Sequence, residues 1–138
     1  MSMKRVDSRS HRSVVTLSLL LLFFAIPHTL EDFATGEPAE VGVPATVLSL
    51  VVSLVFFVQA LGLYWLGEGR KRGLVSHLAI GLFWPVASGF AQVPAILEEG
   101  TYREGLISVM YVAGLIVVGV LLVLSSWRAL RRVQPVAA

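Results

Sequence analysis

The chain has 138 residues, of which 56% are hydrophobic and 14% charged, with a mean hydropathy of +0.79 and a formal net charge of +2. That is too apolar for a soluble domain, which must cover its core with polar surface. Cysteine is missing, so disulfides, thiolate metal ligands and a cysteine nucleophile are excluded.

Four apolar runs are long enough to cross a bilayer, which takes about 20 residues at about 1.5 Å rise each. The first, 13–30, reads SVVTLSLLLLFFAIPHTL and follows the basic Lys4, Arg5, Arg9 and Arg12. This run is longer than a signal-peptide core and no A-x-A site follows it, so it is expected to be retained. The second covers 44–66 and ends on the interfacial aromatics Tyr64 and Trp65. The third covers 74–97 and the fourth 105–127, which ends on Trp127. Backbone polar groups in hydrocarbon must be satisfied within each segment, so each run is expected to be a helix. The expected fold is all-α, an integral membrane antiparallel four-helix bundle forming one domain over 1–138.

Charge sets the expected orientation in the cell membrane. Ten of the eleven basic residues precede the first run, fill the GEGRKRG connection or follow the fourth run, and only Arg103 falls on the other side. By the positive-inside rule both termini are expected to be cytoplasmic. Glu31, Asp32, Glu37, Glu40, Glu98, Glu99 and Glu104 then lie outside. The basic clusters need only anionic headgroups, so the bilayer is the expected partner and nucleic acid is not.

Helix contacts are expected where small residues allow close backbone approach. In the third run Gly81, Pro85, Gly89 and Gln92 share a face with Ser88 beside it, and Pro85 is expected to kink the helix. Trp84 is too deep there to be an interfacial anchor. Ser49, Ser53, Ala60 and Tyr64 make a comparable stripe in the second run, and Ser108 and Gly119 do so in the fourth. Gln59 is expected to bond to a neighbouring helix. His77 lies almost a membrane thickness from His28, too far for the two to share a haem.

His28, Glu31 and Asp32 are spaced i, i+3 and i+4, so a helix continuing through them puts all three on one side. Two acids at a helix C-terminus oppose its dipole, and Pro27 offers an alternative in which a new segment begins there. One imidazole and two carboxylates suit a divalent ion, with His28, Glu31 and Asp32 as candidate metal ligands and Glu98, Glu99 or Glu104 completing the set. Gln92 and Tyr111 lie about 8 to 10 Å below the outer surface at about 1.5 Å per residue. A cleft lined by His28, Glu31, Gln92, Ser108 and Tyr111 is therefore expected, for a divalent ion, a proton or a small amphipathic ligand.

HTLED resembles the motif of the HXXEE family of small membrane proteins, with His28 and Glu31 matching and Asp32 in place of the second glutamate. The resemblance implies that the three residues act as a unit and implies no particular activity. Two classes of function follow. One is a site-bearing protein, an enzyme or small transporter, with His28 as acid-base or ligand. The other is a non-catalytic subunit or scaffold packing against a membrane partner or a second copy. Gly-rich phosphate loops, serine-nucleophile motifs and paired histidine clusters are not found, which leans toward the second class.

Overall fold

A computed structural model describes residues 8–36, 42–98 and 100–132. The elements are α1 (Ser8–Thr35), α2 (Ala45–Gly67), α3 (Lys71–Ala91), the short α4 (Val93–Leu97) and α5 (Leu106–Arg132). Among the described residues there is no strand, and α1, α2, α3 and α5 are each long and apolar enough to cross a membrane. The protein is an all-α four-helix membrane bundle. Its outer surface is apolar where lipid would lie, with Phe23, Leu50, Phe57 and Phe90 all more than half exposed.

The helices run past the expected limits at several ends, for local reasons. α1 continues through Pro27 to Thr35, so no new segment begins at the proline. Thr35 Oγ1 donates to the Glu31 carbonyl at 2.9 Å, and Gly36, at φ 80°, stops the helix in the left-handed conformation that glycine tolerates. α2 ends in a Schellman motif, with Arg70 N–H donating to the Trp65 carbonyl at 2.8 Å across Gly69, at φ 70°. The third run is shorter than expected as a single helix: α3 stops at Ala91 and α4 follows as a separate turn. Pro94 explains the break, because it has no N–H to give the carbonyl four residues back. Pro85, by contrast, lies inside an unbroken α3.

The core is the seam where α3 and α1 pack on α5, built on Leu21, Trp84, Leu115 and Leu122. The α3–α5 crossing is close because it is made of glycine. A Cβ on Gly119 would sit 2.5 Å from Pro85 Cγ and 3.0 Å from the Gly81 carbonyl, and a Cβ on Gly81 would sit 2.9 Å from the Gly119 carbonyl. Gly81, Pro85, Ser88 and Gln92 thus form the expected inward face, but Gly89 does not join it: nothing lies within 4 Å of its would-be Cβ. The stripe of Ser49, Ser53, Ala60 and Tyr64 is also corrected, for all four are exposed. α2 instead buries Gln59, Gly62 and Leu66, and a Cβ on Gly62 would meet the His77 ring at 2.9 Å.

Candidate functional site

At the acid-rich end, where α1 and α3 finish and α5 begins, a polar cluster is held by four parts of the chain. α1 supplies His28, Glu31 and Asp32, the α3 C-cap supplies Gln92, the following loop supplies Tyr102 and Arg103, and α5 supplies Ser108. His28, Gln92 and Ser108 are all buried.

Arg103 organises the cluster. Its Nη1 donates to Asp32 Oδ1 at 2.5 Å and lies 3.7 Å from Glu31 Oε2, while Nη2 donates to Gln92 Oε1 at 3.0 Å. Tyr102 Oη also donates to Gln92 Oε1, and its ring lies 5.0 Å under the guanidinium. Ser108 Oγ donates to Glu31 Oε1 and accepts the Glu104 N–H at 3.1 Å. The backbone bends to achieve this, because Arg103 is in the left-handed region at φ 43°, an arrangement that costs a non-glycine residue about 1 kcal/mol. The charge pairing offsets that cost and the opposition of two carboxylates to the α1 dipole. Burial, and then the carboxylates of Asp32 and Glu31, push the Tyr102 phenol above its ordinary range, so it stays a neutral donor.

Four of the six candidate site residues are therefore in one network: Glu31, Asp32, Gln92 and Ser108, with His28 against its edge, Nε2 3.7 Å from Asp32 Oδ2. Tyr111 is not in the network; it lines a wider cleft of about 460 Å³ between α1 and α5, with Glu31 and Glu104. The cation beside the acidic pair is Arg103, and among the described residues no three His, Asp or Glu side chains converge as metal ligands would. Glu98 is exposed, and Glu37, Glu40 and Glu99 lie outside the residues whose side chains are described. Compared with known proteins, the chain matches no family model, no curated protein and no solved structure.

Beside the cluster, between α1, α2 and α3, is a cavity of about 170 Å³. Phe33, Leu48, Val51, Val52, Phe83 and Ala87 make its apolar walls, and His28, Asp32, Ser88 and Gln92 its polar end. Trp84 also lines it, packed on Phe56 with ring centroids 5.9 Å apart. Two of the residues that line it carry a fully enclosed nitrogen, His28 Nδ1 and Trp84 Nε1, with no hydrogen-bond partner among the described residues. Buried polar atoms are nearly always paired, so two such orphans are unusual.

A second polar group lies deeper and toward the basic end. Gln59 bonds to a neighbouring helix as expected: its Nε2 donates to the Ser18 carbonyl at 2.9 Å and to Ser18 Oγ at 3.0 Å. His77 Nδ1 faces the Gly73 carbonyl at 2.7 Å, so it carries the proton. Nε2 of the neutral ring then accepts from Ser18 Oγ, 2.9 Å away. The bonds run one way, Gln59 to Ser18 to His77 to Gly73, and tie α2, α1 and α3 together.

Proposed function

We propose that this is a membrane-embedded binding protein that takes a small amphipathic ligand in the cavity between α1, α2 and α3. The observation that carries the reading is the cavity itself, with apolar walls from three helices and a polar end at His28, Asp32, Ser88 and Gln92. Binding sites of this kind are mostly apolar, with a few placed polar groups that fix orientation. The neighbouring network gives the site a rigid end: Arg103 holds Asp32, and Asp32 stands against His28 Nε2. His28, Glu31 and Asp32 still act as a unit, as the HXXEE resemblance implies, but through Arg103. On the ten-to-one division of basic residues, we place both termini in the cytoplasm and this site on the outer side of the cell membrane.

Native mass spectrometry of protein extracted from membranes tests the reading. A one-to-one adduct of lipid-like mass is expected on the unaltered chain and not on Ala87→Phe, which fills the cavity. Equal adducts on both would contradict it.

A further inference from the structure

We infer that a second site, at the basic end of the bundle, binds a phosphomonoester dianion, the chemistry shared by the headgroup of phosphatidic acid and by free phosphate. It is independent of the cavity beside His28. Ser10 and Ser13 of α1 and Ser125, Arg128 and Arg132 of α5 line a pocket of about 180 Å³. The spacings i, i+3 on α1 and i, i+3, i+7 on α5 put each set on one helix face. Further inward the same faces carry Leu17, Leu21, Val118 and Leu122, which join the apolar core. The α1–α5 seam thus opens into a space whose wall is mostly polar atoms. Those atoms are reachable, for Ser13, Arg128 and Arg132 are exposed and Ser10 and Ser125 half-buried.

Charge selects the ligand. No carboxylate lines the pocket, and the ion pairs among the described residues use His28, Arg70 and Arg103, so neither Arg128 nor Arg132 is neutralised there. Arg131, the third arginine of this helix end, lies 4.7 Å over the Trp127 ring instead. The positive-inside rule accounts for arginines at this end, but not for serines from two helices gathered around two of them. A guanidinium fork pairs with phosphate oxygens bidentately, and two forks match the charge of about −1.5 to −2 on a phosphomonoester better than the single charge of a diester. Depth agrees, because Trp127, the interfacial aromatic, lies between Ser125 and Arg128 in the chain. The space equals the liquid volume of about six waters, enough for a phosphate and its ester oxygen.

The test titrates phosphatidic acid and phosphatidylglycerol into the full chain in neutral detergent, with bound lipid read by native mass spectrometry. Phosphatidic acid is expected to bind about tenfold tighter, the worth of one charge-assisted hydrogen bond. Arg128→Gln with Arg132→Gln should abolish that preference, and so should Ser125→Leu, which keeps both charges and fills the pocket. Lys71→Gln with Arg72→Gln, an equal loss of charge at the same end, should leave it intact. Equal binding of the two lipids, a preference that survives either pocket variant, or one lost equally in the Lys71 and Arg72 pair overturns the inference and leaves the cavity reading standing. Inorganic phosphate is then added to the phosphatidic acid complex: displacement supports a site open to free phosphate, and retention supports one confined to the lipid headgroup. Both guanidiniums are exposed, and about 1 M salt shortens the Debye length to about 3 Å. Extraction in such salt releases this lipid and leaves the cavity adduct to be read alone.

Discussion

Ser18→Ala should destabilise the bundle more than Gln59→Leu, although it removes a single oxygen. Ser18, Gln59 and His77 are each fully buried. Removing the serine hydroxyl strands His77 Nε2, whose sole partner among the described residues is Ser18 Oγ at 2.9 Å, while Nδ1 stays bound to Gly73. Leaving a buried acceptor unpaired costs about 1 to 3 kcal/mol. Gln59→Leu removes two bonds, which in membrane helices average about 0.6 kcal/mol each. It also removes Gln59 Oε1, which is buried with no partner among the described residues, and relieving it returns about 1 kcal/mol. The serine still donates to His77 in that variant. Gln59→Leu should therefore fall within about 1 kcal/mol of the parent, and Ser18→Ala about 1 to 3 kcal/mol below it. Reversible unfolding in mixed micelles measures both. Gln59→Leu as costly as Ser18→Ala would refute the one-way bonding order.

Three other outcomes are expected. Arg103→Ala should destabilise the acid-rich end by about 2 kcal/mol or more, since it leaves Asp32 and Glu31 uncompensated; calorimetry should then detect manganese or calcium binding that the parent lacks, and no gain of cation affinity would count against Arg103 as the site's cation. Gly119→Val should cost about 1 to 3 kcal/mol by overpacking, because its Cβ would lie 2.5 Å from Pro85, whereas Gly89→Ala, with nothing within 4 Å, should be nearly neutral in thermal unfolding. Tyr102 has its pKa raised above the ordinary 10.0, so its contribution to stability is complete below that pH and is lost as pH rises beyond it. Tyr102→Phe should flatten the fall in melting temperature above about pH 10 and remove the latest phase of tyrosinate absorbance; an unchanged profile would place the tyrosine in solvent.

The bundle was legible because span length and charge asymmetry are properties of single segments. Gln92 and Gln59 were legible because a side-chain amide inside an apolar run must face the interior. Small residues were a weaker guide. Two faces of the second span carry them, and lipid accepts Ser49 or Ala60 as readily as a helix neighbour does, so periodicity alone does not distinguish the buried face with Gln59 and Gly62. Arg103 was missed as a site residue although its signal was present: it is the one basic residue on an acidic side. Its role depends on a left-handed turn and on contacts across 71 residues of chain, neither of which the spacing encodes. The cavity was illegible for the same reason, because Trp84 and His28 lie on different helices and come to line one space only through packing.

Saturation of Trp84 quenching by a brominated octanol, in the full chain carrying Trp65→Phe and Trp127→Phe, tests the central claim most directly. With Trp84 as the only indole, quenching is expected to saturate at one equivalent per chain and to fall to the level of simple bilayer partition in Ala87→Phe. Quenching that rises linearly with added alcohol, and is the same in both proteins, would contradict a ligand site between α1, α2 and α3.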